Sequence, residues 1–270
     1  MELSQRRHMT VDLYIFQPLV TNSARVYLTL LEKGVPFNTH VLGPGSIGHL
    51  SEEYKKINPR GQVPAMVHDG KSLIEGMTIN EYIDETFDGP PLRPKDPVER
   101  ERMRVWCRYS ENDLGRALMM INWNRIMPNM RRNQNEEQMK RFAETVPDPD
   151  RRRSWMNAAN QGTPVAEIEE SYRRVVVGVE RIEKTLRKHK WIAGNSYSLG
   201  DIDLLNFYGH QSMWPPPWIK ALTNETLTPA TMDWLARLAE RPAVKKMHAD
   251  TVFRGPPPAA AQGQAQQARN

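Results

Sequence analysis

At 270 residues the chain is long enough for one large or two modest hydrophobic cores. Its 37 basic and 32 acidic residues leave a net charge of +5 and a pI near 9.3, but the signs are mixed; the densest runs, Arg131-Arg132 and Arg151 to Arg153, lie in polar helical or loop segments, which argues for a solvated face rather than a nucleic-acid surface. The lone Cys107 excludes an internal disulfide framework and a multi-cysteine zinc site, no apolar run approaches the roughly 20 residues of a membrane span, and MELSQRRHMT lacks the apolar region of a secretory signal, so a cytoplasmic protein is expected.

Val11 to Phe16 alternates apolar and β-favouring residues and predicts a first strand. Asn22-Ser23 then precede Ala24, Val26, Tyr27, Leu30 and Leu31, a stripe at helical spacing that ends at Lys33-Gly34. Phe37 to Leu42 reads as a second strand, Gly43 to Gly48 as a loop without the spacing or Lys of a phosphate loop, and His49 to Lys56 as a short helix. Asn58-Pro59-Arg60-Gly61 is a turn, and it delivers the chain into Gln62-Val63-Pro64-Ala65-Met66-Val67. Pro64 cannot donate to a ladder and suits an edge or bend. A cis bond before it would turn the N–H and C=O of Val63 outward, free to pair with an extended peptide. His68 to Lys71 predicts a hairpin turn into Ser72-Leu73-Ile74. From Glu75-Gly76-Met77 an amphipathic helix follows, with Ile79, Tyr82 and Ile83 on one face, and its unpaired first-turn N–H groups favour a carboxylate.

Asp88 to Pro94 is a proline-rich linker and the best domain boundary. Strand patterning almost ceases beyond it. Asp96 to Arg125 predicts one long helix with Val105, Trp106, Tyr109, Leu114 and Leu118 among its apolar positions, and Arg131 to Glu144 a polar one that Val146-Pro147-Asp148-Pro149 breaks. Val165 to Lys188 is a further long helix. Ser198-Leu199-Gly200-Asp201 is a capping box with Tyr197 as its hydrophobic staple, so Asp201 reads as a cap rather than a catalytic acid. Trp214 to Trp218 is a rigid loop, Thr231 to Ala239 and Ala243 to Ala249 form the last helices, and the segment from Arg254 is a low-complexity tail expected to be disordered. The domains expected are residues 1–88, residues 95–253 and the tail 254–270.

Strand, helix, strand, then Val-Pro, hairpin and helix resembles the thioredoxin-like half of glutathione transferases, and the capping box resembles the one in their helical half. The resemblance implies an α/β thioredoxin-like N-terminal domain, an all-α C-terminal domain and glutathione as co-substrate. Gln62, Val63 and Pro64 would hold the cysteinyl backbone of glutathione, and Glu75 with Gly76 its γ-glutamyl end. Gly76 stands where the family has Ser; it keeps a backbone donor and loses a hydroxyl, so weaker γ-glutamyl binding is expected.

Within the family the chain is most similar to the bacterial β-etherases of lignin breakdown. The segments that carry this are Asn22-Ser23 with Leu31 to Gly34, Lys55 to Pro64, Leu92 to Pro97 with Met103 to Trp106, and an insertion from Val146 to Glu170. That resemblance makes Ser23 the glutathione-contacting serine with Asn22 beside it, and puts His49 where the family has a glutathione-binding Gln. It implies thiolate attack at the carbon β to an aromatic ketone, with loss of a phenolate and no metal. A hydroxyl at a helix N-terminus could favour the thiolate, although Asn22 and Ser23 also suit ordinary N-caps. Tyr14, on the strand, is a weaker donor candidate. An aromatic substrate needs an apolar pocket. Trp106, Tyr109, Asn112, Met119, Met120, Asn122, Trp123 and Met127 could line it, with Tyr208, His210, Met213 and Trp214 opposite, though the same stripe suits core packing. A general glutathione transferase, and a structural glutathione-transferase-like subunit of a heterodimer, are the alternatives; the resemblance also implies a homodimer or a heterodimer with another such subunit.

Overall fold

The computed structural model describes residues 10–17, 19, 22–42, 47–121, 124, 136–160, 163–208 and 224–252. The first domain has four strands, β1 (Val11–Ile15), β2 (Asn38–Val41), β3 (Ala65–His68) and β4 (Lys71–Ile74), in the order β2-β1-β3-β4. β1 and β2 are parallel, with Leu13 opposite Thr39, so the chain must cross over between them. Helix α1 (Asn22–Lys33) is that crossover, and Gly34 ends it at φ 67°, a conformation glycine adopts without a Cβ penalty. β3 runs antiparallel to both β1 and β4, and the β3–β4 hairpin turns at Asp69 and Gly70, both with positive φ. The expected short helix at 49–56 is two pieces, a 3₁₀ turn (Ile47–Leu50) and α2 (Glu52–Lys55), because Ser51 caps the second piece by accepting from the Tyr54 N–H at 3.2 Å. Helix α3 (Gly76–Thr86) closes the domain and buries Ile79 and Ile83 as its spacing predicts.

The proline-rich linker is clamped at one carboxylate. Asp84 accepts from Lys33 Nζ at 3.2 Å, the Leu92 N–H at 2.8 Å and Arg93 Nε at 2.8 Å. Helix α4 (Pro97–Tyr109) starts with Asp96 as N-cap, its carboxylate accepting from the Glu99 N–H at 2.8 Å, and Pro97 in the first turn. The single long helix expected from Asp96 is interrupted. A π-helical turn (Ser110–Gly115) follows α4 before helix resumes over 116–121, and Ser110 Oγ donates to the Asp203 carbonyl at 3.0 Å within that turn. Val105, expected in the apolar stripe, is 38% exposed. Helices α5 (Glu136–Thr145), α6 (Pro149–Asn160), α7 (Val165–Leu186), α8 (Leu199–Tyr208), α9 (Pro229–Ala239) and α10 (Pro242–Asp250) complete the described fold. α6 forms inside the insertion that the sequence marks only as a break. The predicted loop 214–218 and tail 254–270 lie outside the described residues.

Asp201 is a structural cap. It accepts from the Ile192 N–H, the Ser198 N–H, Ser198 Oγ and Trp234 Nε1, all within 3.1 Å. Helix α1 packs on α3 on one side and on α8 and α10 on the other, so a single core runs from Leu13 and Ile15 through Val26 and Leu30 to Met103, Val179, Leu204 and Trp234. Polar ties reinforce that junction: Arg241 grips Glu32 with two 2.7 Å bonds, and Tyr27 Oη donates to Asp250 at 2.7 Å. Among the described residues no helix is long and apolar enough to cross a membrane.

Candidate active site

The turn before β3 is built by two donors to one carbonyl. Tyr54 Oη and Asn58 Nδ2 reach the Gln62 C=O at 2.6 and 2.7 Å, and Gly61 at φ 55° allows the reversal. The Val63-Pro64 bond is cis, as the sequence suggests. Val63 lies outside the β3 ladder, so the sheet does not consume its N–H and C=O. Gln62 and Val63 are half-buried and Pro64 is buried.

Glu75 precedes α3 at φ 69°, a left-handed conformation that is costly for a residue with a Cβ. Its side chain makes no cap bond to its own helix, and instead Oε1 accepts from Arg60 Nη1 at 2.6 Å. The first turn of α3 holds no acidic side chain, so its N–H groups remain suited to an anion. Gly76 is buried against Arg25. A Cβ there would lie 2.8 Å from Arg25 Cδ, so the space a serine would need is already taken.

Asn22 and Ser23 are the first two residues of α1 rather than its N-cap. Ser23 is 0% exposed, and its Oγ accepts from the Phe16 N–H at 3.1 Å, tying the β1–α1 loop to the helix. Asn22 is exposed. Its Oδ1 accepts from Arg25 Nη2 at 3.1 Å and from Asn206 Nδ2 at 3.4 Å, which directs the amide NH2 away from both. Of the two candidate donors it is Asn22, not Ser23, that stands at the surface.

His49 meets the edge of Phe16 with ring centroids 5.0 Å apart, close to the same loop. Burial, helped by the charge of Arg151, pulls its pKa down to about 4, so the ring is neutral near pH 7. Its Nδ1 has no hydrogen-bond partner among the described residues. Arg151, at the start of α6, donates to the Arg60 C=O at 2.9 Å and stacks 5.3 Å from the Trp155 ring. The insertion is thereby fastened to the loop that leads into Val63-Pro64. Tyr14 lies elsewhere, stacked on His40 at 4.5 Å.

Among the described residues the candidate substrate positions do not converge on one pocket. Trp106 is buried under Arg181, whose guanidinium lies 4.8 Å from its ring and 4.3 Å from that of Tyr109. Tyr208 is buried against Phe207 and Trp234, and so belongs to the helical core rather than to an outer wall. Met119 is 47% exposed, Asn112 is exposed, and Met120 is half-buried. Asn122, Trp123, Met127, His210, Met213 and Trp214 lie outside the described residues. Sequence reasoning missed Phe16, Arg25, Arg60 and Arg151. The i, i+3 spacing of Asn22 and Arg25, together with Gly76 in place of serine, was the available signal for Arg25.

Residues 18–91 match the family described as glutathione S-transferase, N-terminal domain, and residues 153–242 its C-terminal domain. Protein LigF of Sphingobium sp. (strain NBRC 103272 / SYK-6) is 37% identical over 243 residues, 88% of this chain and 93% of that protein. The chain belongs to the glutathione S-transferase family. As such an enzyme it takes glutathione as co-substrate, and the thioredoxin-like and all-helical halves are those of the family fold. The crystal structure of β-etherase LigF superposes on this transferase with a TM-score of 0.83 at 34% identity, covering 90% of this chain and all of that one. Glutathione transferase F7 from Populus trichocarpa is similar in fold, with a TM-score of 0.67 at 23% identity.

Proposed function

We propose that this transferase cleaves β-aryl ethers of lignin-derived aromatic ketones with glutathione. The observation that carries the reading is the likeness to the β-etherase LigF over nearly the whole of both chains, at 34% identity and a TM-score of 0.83. In the reaction, the glutathione thiolate forms a C–S bond at the carbon β to the ketone as the C–O bond breaks. The bonding pair leaves with the phenolate, which takes a proton from solvent, and the products are a phenol and a glutathione thioether. The adjacent carbonyl activates that carbon, so the enzyme chiefly aligns thiolate and ether.

The Val63 N–H and C=O pair with the cysteinyl backbone beside Gln62 and Pro64, as an added strand would. The γ-glutamyl carboxylate sits at the N-terminus of α3 by Gly76, and its ammonium competes with Arg60 for Glu75. The Asn22 amide donates to the thiolate, while Ser23 shapes the loop that presents it. His49, neutral, flanks the same loop with Arg151 beside it. Tyr109, Asn112 and Met119 remain candidates for contact with the aromatic substrate, as does Trp123, which lies outside the described residues; Trp106 and Tyr208, both buried, are less suited.

The test is incubation of the protein and glutathione with each enantiomer of a β-aryl ether ketone, with phenol and thioether quantified by mass spectrometry. Equal amounts of both products support the reading. Conjugation of a simpler electrophile without phenol release points to a general transferase, and no glutathione chemistry at all points to a structural subunit.

A further inference from the structure

We propose that Arg25, buried at the junction of the two domains, is a positioning residue that aims the Asn22 amide at the glutathione thiol and favours the thiolate through its charge. The inference rests on the reading of Asn22 as the thiol donor and adds what holds and polarises that donor. Arg25 and Asn22 lie one helical turn apart on α1, one enclosed and the other exposed: Arg25 is 2% exposed. Among the described residues, the only hydrogen bond of the guanidinium is the one to Asn22 Oδ1. With that oxygen engaged from within, the NH2 of the same planar amide faces outward.

Two carboxylates approach Arg25 without consuming its donors. Asp203 of α8 and Glu111 of the π-helical turn approach Nη1 at 3.5 and 3.6 Å, near enough for charge attraction and beyond normal hydrogen-bond length. Asp203 is wholly buried, faced by the Arg25 guanidinium at 3.5 Å and by the Cys107 thiol. Cys107 of α4 lies in the same cluster, where burial first and the Asp203 charge second push its thiol well up, so it stays neutral; Glu81 of α3 is the other acid acting on it. From α3, Gly76 leaves the room that the Arg25 stem fills. Three parts of the chain, α1, the π-helical turn and α8, thus place one cation directly behind one exposed amide.

The readout is the pKa of enzyme-bound glutathione, followed through the ultraviolet absorbance of its thiolate. In the wild-type protein it should lie below that of free glutathione, and Asn22→Ala should raise it. Arg25→Lys keeps a cation for Asp203 but is too short to hold the amide in the same way, and should raise it by about one unit. Glu111→Gln removes an opposing negative charge and should lower it by roughly half a unit. A structural ion pair alone would not produce shifts of opposite sign. A folded Arg25→Lys protein with the wild-type thiol pKa, or shifts of the same sign in the two variants, overturns the proposal, as does an effect of Arg25→Lys without one of Asn22→Ala. Should Arg25→Lys fail to fold, an unchanged pKa in Glu111→Gln overturns it. A wild-type bound thiol that titrates like the free one instead removes the thiol-site reading on which the inference stands.

Discussion

Arg25 and Gly76, on different helices, share one volume: the Arg25 Cδ lies 2.8 Å from the point a Cβ on Gly76 would occupy. Asp203, Glu111 and Asn22 hold the far end of that side chain, so it cannot swing aside freely. The glycine in place of the family serine is therefore matched to an arginine, and the two positions form one packing unit.

Restoring a side chain at this position should harm the fold. Gly76→Ser is expected to lower stability by about 1–3 kcal/mol through overpacking, measured by urea unfolding. Wild-type stability in that variant would mean that Arg25 is not held in place.

Glu75 is half-exposed and paired with Arg60. Glu75→Gln should raise KM for glutathione by about tenfold or more, the loss of a charge-assisted contact, with kcat at saturation little changed. Because an exposed ion pair contributes roughly 0–1 kcal/mol, thermal stability should barely move. Steady-state kinetics at varied glutathione separates these effects, and an unchanged KM argues against a γ-glutamyl contact.

The depressed pKa of His49 predicts an acid-side loss of stability. The folded ring, at about 4, refuses a proton that the unfolded chain accepts below about 6.5. The stability it contributes is therefore present above pH 6.5 and lost as pH falls toward 4. Relative to His49→Gln, the wild-type protein should lose stability over that window, read as the difference in denaturant midpoint at pH 7, 6 and 5. A constant difference would place the folded pKa near its ordinary value.

Asp201 has the opposite sign. Burial lifts its carboxyl from 3.8 to about 6 against the pull of its donors, so the folded chain binds a proton more tightly than the unfolded one. Its contribution is full below about pH 4 and declines as pH rises through 6. Wild-type stability relative to Asp201→Asn should fall across this interval, and at every pH Asp201→Ala should cost about 3–5 kcal/mol by leaving the Ile192, Ser198 and Trp234 donors without their acceptor. Unfolding curves of the three proteins across pH check both statements.

Local chemistry was readable along the chain. The Asp69-Gly70 hairpin, the end of α1 at Gly34, the cis Val63-Pro64 junction and the Ser198–Asp201 cap follow from the residues at each place, because turns, caps and periodicity act over a few positions. What the chain order could not supply is who meets whom. By its place in the chain Ser23 reads as the donor with Asn22 beside it, until packing buries the first and exposes the second. Trp106 and Tyr208 suit a core more readily than a pocket by their spacing, and the helices around them bury both. Arg25 gained its meaning only when the fold set it among Asn22, Gly76, Glu111 and Asp203, up to 178 positions away (203 − 25), since burial and charge pairing belong to three-dimensional neighbours.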